Sequence, residues 1–263
     1  GKGPAGGPSP SSPSSSSSSA AAEVARDTVL VLDANSRLGE EVVLALVVKR
    51  VKVRALVRDA EAAAAGFGTY VENVESSLDD RSSLRRLLAG VKSVIVCGAM
   101  GFDKGERLME ACANEGVEHV VLVSSFMARE GFLDGLLVSK EQKVLEDGER
   151  ERVVARSGVP YTIVSGGDLE ETLGRSQEGL QAVRVGEGEG EGEGEQRRRA
   201  MAAAGGEGSL SLSRSDFAWA SVACLSFAPL NSRIELFKGS PAGSGNGPAV
   251  SIDTEEDWSQ VLN

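Results

Sequence analysis

A single histidine, His119, stands in a chain of 263 residues that also holds only three cysteines and two tyrosines. One imidazole cannot by itself build a zinc site or a Cys–His dyad. Cys97, Cys112 and Cys224 form no C-x-x-C pair and lie in apolar surroundings, which reads as buried free thiols in a reducing compartment. No apolar run approaches the roughly twenty residues that a bilayer-spanning helix needs. Cations are also short: 28 Lys and Arg face 39 Asp and Glu, a net charge of −11. With no basic stripe interleaved by aromatics, that balance argues against a general nucleic-acid or anionic-membrane binder.

What is there begins at Thr28. The run from Thr28 to Leu32 is uncharged and rich in β-branched residues, the pattern of a strand buried on both faces. A polar turn follows from Asp33 to Gly39. Val42, Val43, Leu46 and Val47 then recur at helical spacing between Glu40 and Lys49, and a second apolar strand runs from Val51 to Val57. Strand, turn, helix and strand within about thirty residues make a right-handed βαβ unit. In such a unit a dinucleotide pyrophosphate would sit in the first turn, on the helix N-terminus.

These residues resemble the opening of atypical short-chain dehydrogenase/reductases, the NmrA-like NAD(P)-binding proteins of plastid type. That family opens with a strand, then G-A-T-G-x-x-G, a helix and V-R-A-L-V-R-D. Val53–Asp59 reproduces the last piece and Gly39 the last glycine, whereas Asp33 and Ser36 replace the first two glycines. Further along, GVEHVVLVSS (116–125), SGVPYTIV (157–164) and SRSDFA (213–218) match the family, so that the resemblance runs from about Thr28 to Leu262. It implies an α/β fold, a Rossmann-like doubly wound parallel sheet with a small C-terminal subdomain.

The rest of the chain fits that expectation. Asp80 N-caps a helix facing inward through Leu84, Leu87 and Leu88, and Val91–Val96 is a fourth strand ending at Gly98, a candidate close-approach position. A helix from Met100 to Glu115 ends at Gly116 in the left-handed conformation. Strand five reaches Ser124-Ser125, with His119 as a surface or strand-start residue, and Tyr161–Val164 is strand six. Ser165-Gly166-Gly167-Asp168-Leu169 stands where the family has R-P-G-G-L. Leu180–Val185 reads as a short strand, Trp219–Phe227 continues a helix opened by Asp216, Ile234–Phe237 is a last strand, and Asp257–Leu262 a terminal helix. Residues 1–27, a Gly/Pro, Ser and Ala tract, read as a disordered leader, 28–165 as the NAD(P)-binding core and 166–263 as the closing subdomain. The latter contains an insertion at 186–208 whose Gly-Glu alternation repels itself and reads as a disordered loop. The leader resembles the tail of an organellar transit peptide, which with the family resemblance implies a plastid location; the cytoplasm is the alternative.

Two functions follow. In the first, an NADPH-dependent oxidoreductase acts on a small substrate. The resemblance then implies cofactor contacts from Ser36, Arg37, Leu38, Gly39, Arg58, Gly98, Ser124 and Gly166. Arg37 and Arg58 form the guanidinium clamp for a 2′-phosphate, which selects NADP over NAD. Active relatives use Tyr-x-x-x-Lys, the lysine lowering the tyrosine pKa. Neither Tyr70 nor Tyr161 precedes a lysine by four, which leaves Ser124, Lys140 and Lys143 as candidate catalytic groups; either lysine fits only if Glu146–Glu149 forms an extra turn. The second function is a non-catalytic regulatory or assembly protein with partners in a plastid complex. Asp33, Ser36, Ser76-Ser77 in place of the family's Gly-Asp, and the missing Tyr-x-x-x-Lys point that way.

Overall fold

The computed structural model describes residues 1, 27–126, 138–175, 180–185, 211–227, 229, 231–238, 250–251 and 255–262. The leader, apart from its two end residues, and the Gly-Glu insertion lie outside the described residues. Strands β1 (Thr28–Leu32), β2 (Lys52–Leu56), β3 (Val71–Val74), β4 (Val91–Val96), β5 (His119–Ser125) and β6 (Tyr161–Gly166) come first. Later in the chain lie β7 (Leu169–Glu170), β8 (Leu180–Val185), β9 (Leu212–Ser213), β10 (Ser232–Lys238) and β11 (Val250–Ser251). Nine of them form one sheet in the order β11-β8-β10-β6-β5-β4-β1-β2-β3, and β7 pairs with β9 beside it. From β3 to β10 every neighbouring pair is parallel; β8 joins β10, and β11 joins β8, antiparallel. The order reverses between β1 and β4, the switch point at which an open α/β sheet leaves a crevice beyond its strand ends.

The central strands are apolar on both sides because helices cover both. Val29 and Val31 of β1, Ile95 of β4 and Val121 and Val123 of β5 face one layer, formed by α1 (Arg37–Val48), α7 (Arg214–Cys224) and α8 (Glu255–Leu262). Leu30, Leu32, Val94, Val96 and Leu122 face the other, formed by α3 (Arg81–Leu88), α4 (Phe102–Glu115) and α6 (Gly148–Arg156). Each fully buried Leu or Val contributes about 1.5–3 kcal/mol. Alternation of this kind is the period-2 consequence of a strand sandwiched between two layers.

Helix starts follow their caps. The Asp80 side chain accepts from Ser83 N–H at the start of α3. Asp59 accepts from Ala62 N–H and opens α2 (Ala60–Phe67). Ser213 and Asp216 exchange side-chain and backbone hydrogen bonds in a capping box at the start of α7. Gly116 closes α4 at φ 70°, ψ 40°. Several element ends lie a few residues from the expected ones, and two of these differences bear on the site. Helix α1 begins at Arg37, three residues before Glu40, because Ser36 supplies the cap. The stretch after β5 is broken at Glu146-Asp147 into two helices, α5 (Lys140–Leu145) and α6, because Asp147 caps α6 anew by accepting from Glu149 N–H. Gly148 and Glu149 therefore open a second helix and do not add a turn to the first.

All three cysteines are buried and free, and burial pushes each thiol up to about 12. His119 is no surface residue: it is 4% exposed, and its Nε2 lies 3.0 Å from the Thr162 hydroxyl. Burial depresses its pKa from 6.5 to about 4. The unfolded chain therefore binds a proton that the folded chain refuses between those two values. The corresponding stability is complete above about pH 6.5 and falls with pH through the window, by up to about 1.4 kcal/mol per unit. Urea unfolding at stepped pH should accordingly give His119→Asn a shallower acid-side loss of stability between pH 6.5 and 4 than the parent chain; equal slopes would rule out His119 as the source.

Candidate functional site

Helix α1 presents its N-terminus at the crevice between β1 and β4, and the turn before it is tightly tied. Asp33 occupies the position of the first family glycine at φ 57°, in the left-handed region that Asp enters more readily than most side chains. Its carbonyl accepts from both the Ser36 N–H (3.0 Å) and the Ser36 hydroxyl (2.9 Å), and Ser36 Oγ in turn accepts from Gly39 N–H at 3.0 Å. A Cβ on Gly39 would stand 2.3 Å from the Asp33 carbonyl oxygen, so glycine there lets the helix approach the turn. A Cβ on Gly98 would stand 2.2 Å from the Asp33 Cβ. The Asp33 side chain thus packs directly against Gly98. Arg58 pairs with Asp33 at 3.7 Å and is largely exposed, while its neighbour Asp59 is committed to capping α2.

The N–H of Leu38, in the first turn of α1, donates to the Glu141 carboxylate of α5 at 2.9 Å. The other oxygen of Glu141 accepts from Arg214 Nε at 2.7 Å. Arg214 also donates to the Glu170 carbonyl (3.0 Å) and pairs with Glu171 (3.1 Å), which Arg37 meets from outside at 2.7 Å. Burial alone would lower the Arg214 pKa, but Glu141 and Glu171 outweigh it and hold it above its ordinary value. Arg214 in turn holds the Glu171 carboxyl below the usual range. Helix α5 is fixed over the strand ends by Gln142. This buried side chain donates to Ser125 Oγ (3.2 Å) and accepts from Leu169 N–H (2.8 Å), and Leu145 is fully buried beside it.

Further along the same sheet edge, Ser124 Oγ lies 3.1 Å from the Leu145 carbonyl and 2.5 Å from Glu151 Oε1. Ser124 is in register with Ser165 of β6, and Ser165 with Glu235 of β10. Among the described residues the buried hydroxyl of Ser165 has no partner. Arg233 of β10 reaches the Glu151 carboxylate. Burial raises the Glu235 pKa and lowers that of Arg233. Arg150 is fully buried and donates to the carbonyls of Val144 (3.0 Å) and Val96 (3.4 Å), while its Nε–H has no partner among the described residues. Burial lowers its pKa to about 10, so it stays charged at neutral pH, aided by its position at the C-terminal end of α5.

Of the residues singled out in the sequence, Ser36, Arg37, Leu38, Gly39, Arg58 and Gly98 converge on the first turn, and Ser124 sits at the far end of the crevice. A Cβ on Gly166 would stand 2.5 Å from Leu212 and Phe217, so this glycine admits α7 to the sheet. Lys140 and Lys143 are exposed on α5. Tyr70 is largely exposed at the β3 edge, and Tyr161 begins β6, at the end of the strand opposite Ser165. Glu141, Arg150, Glu151 and Arg233 escaped sequence reasoning: each sits in a charged run that reads as solvated helix or edge strand. Arg214 had a signal, the arginine inside the SRSD motif. For a nicotinamide dinucleotide, the backbone of the first turn fits, but the Glu141 carboxylate as placed does not, since it already holds the Leu38 N–H at the start of α1 and the Arg214 guanidinium.

Comparison with known proteins agrees with the architecture. A family profile described as NAD(P)H-binding matches residues 34–225. A short-chain dehydrogenase/reductase from Veillonella parvula in complex with NADP superposes with a TM-score of 0.59 at 14% identity, covering 84% of this chain and 98% of that one. The anaerobillin reductase ChuY of Escherichia coli O157:H7 superposes with a TM-score of 0.55 at 18% identity, covering 83% and 99%. Sterol demethylase protein B of Methylococcus capsulatus is 35% identical over 115 residues, a match that spans 38% of this chain and 35% of that protein.

The Glu151–Arg233 pair makes a measurable claim. Arg233→Met leaves Glu151 short of its cation in a mostly buried place and should lower unfolding free energy by about 3 kcal/mol. Adding Glu151→Gln should restore more than half of that loss in a double-mutant cycle by urea unfolding; additive losses would show that the two groups act independently.

Proposed function

The chain belongs to the NAD(P)H-binding family, with a Rossmann fold of the short-chain dehydrogenase/reductase type, and from that premise we propose that it is a catalytically degenerate member: a regulatory or assembly protein that takes an NADP-type dinucleotide weakly and does not turn it over. The observation that carries this reading is the surroundings of Ser124. Its hydroxyl is committed to the Leu145 carbonyl and Glu151, and neither tyrosine stands beside it. Without a phenol whose proton can be given or taken, the hydride chemistry of active relatives has no acid–base partner.

Arg58, just after β2, supports NADP over NAD, because a guanidinium group suits a 2′-phosphate and Asp59 is used as a helix cap, whereas Arg37 is turned to Glu171 and does not join it in a clamp. The Ser- and Ala-rich leader supports a plastid setting, where the partner would be another protein of a plastid complex; a fluorescent fusion of the chain tests the location. An active NADPH-dependent oxidoreductase is the second reading. It is favoured by the 2.5 Å contact between Ser124 and Glu151, which offers a carboxyl for proton transfer in place of tyrosine.

Titration of the chain with NADPH and NADH by nicotinamide fluorescence separates the two. The expected result is submillimolar or weaker NADPH binding, weakened about tenfold further by Arg58→Ala with NADH unaffected, a loss of about 1.4 kcal/mol. No NADPH oxidation is expected with a panel of aldehydes, ketones and quinones. Steady oxidation that Ser124→Ala abolishes would overturn the degenerate reading in favour of the reductase.

A further inference from the structure

A largely buried carboxylate is an unexpected occupant for a cleft whose family ligand carries phosphates. Glu141 nevertheless places one oxygen on the Leu38 N–H at the start of α1 and the other on Arg214. Those are the two kinds of donor a pyrophosphate uses: a backbone N–H at a helix N-terminus and a guanidinium fork. We infer that Glu141 is an internal substitute for the pyrophosphate, so that α5 is a latch holding the dinucleotide cleft closed, and that a dinucleotide binds by exchanging its phosphate oxygens for the Glu141 carboxylate on Leu38 N–H and Arg214. The inference rests on the dinucleotide-binding reading of this site and adds how that site is controlled.

Charge balance supports the exchange. In the closed state the described arginines at the first turn already carry carboxylates of the chain: Arg214 holds Glu141 and Glu171, Arg37 meets Glu171, and Arg58 holds Asp33. A dinucleotide seated without displacing Glu141 would put like charges within a few ångströms of each other, and its phosphates would find both donors taken. Displacement moves Arg214 from one anion to another and leaves no buried cation unpaired. The latch is also a small unit. Helix α5 spans six residues, too few to persist by its own hydrogen bonds, and is held by Gln142, Leu145 and Glu141. A purely structural staple would look similar at rest, and differs in what its removal does to binding.

The test uses the full chain, with Glu141→Ala and Glu141→Gln. Two binding readouts apply: NADPH by nicotinamide fluorescence and inorganic pyrophosphate by calorimetry. Glu141→Ala should bind both at least tenfold more tightly than the parent while melting at a lower temperature without ligand, and adding Arg214→Met should abolish the gain. Glu141→Gln keeps the shape and loses the charge; it should gain at least threefold, and serves should the alanine variant fail to fold. Binding by the parent that neither variant improves overturns the latch and leaves the dinucleotide reading standing. No binding by any of the three overturns both. Tighter binding accompanied by NADPH oxidation upholds the latch and overturns the non-catalytic reading.

Discussion

The first-turn N–H groups of α1 end against the crevice at the sheet edge, and they have to find acceptors. Much of the site follows from how this chain meets that demand. Ser36 takes the Gly39 N–H and turns its own hydroxyl onto the Asp33 carbonyl, and Glu141 takes the Leu38 N–H from across the crevice. Because the second acceptor is a carboxylate, a cation must follow it inside, and Arg214 does. Because Arg214 enters from the start of α7, the two-stranded β7–β9 ladder and the Ser213–Asp216 capping box are drawn to the same spot. One unsatisfied donor thus organises four segments far apart in sequence.

The same logic operates at the other end of the crevice. Glu151 stands over the strand end, largely withdrawn from water, and its carboxylate needs a positive charge there. The neighbouring strand β10 supplies it through Arg233, and among the described residues the hydroxyl of Ser165 has no partner. In the same crevice Asp33 packs against Gly98, and Glu141 caps the N-terminus of α1 through the Leu38 N–H.

Much of the fold was legible in the chain before any coordinates. The two-sided apolar strands, the helical spacing of Val42, Val43 and Leu46, the cap at Asp80 and the left-handed Gly116 are local signals, and they fall where expected, whereas Asp216 lies inside its helix as the partner of the Ser213 cap. Boundaries differ where Ser36 and Asp147 supply the caps. The short strands β7, β9 and β11 are not legible, because two residues carry no period. In the site, the residues of the β1–α1 turn were visible because motif spacing encodes them. Glu141 and Glu151 were not, since a glutamate in a charged helix looks the same whether it meets water or a backbone N–H.

By itself, then, the sequence determined the layered α/β architecture, the position of the crevice and the absence of a Tyr-x-x-x-Lys pattern, because each is written in local composition and spacing. Only the tertiary structure decided what fills the crevice. Glu141 and Leu38 are brought together over a separation of 103 residues, and Arg214 and Glu141 over 73. Whether such a carboxylate is a solvated surface charge or a buried anion depends on desolvation and on the partner that packing delivers, and neither is encoded near the residue itself.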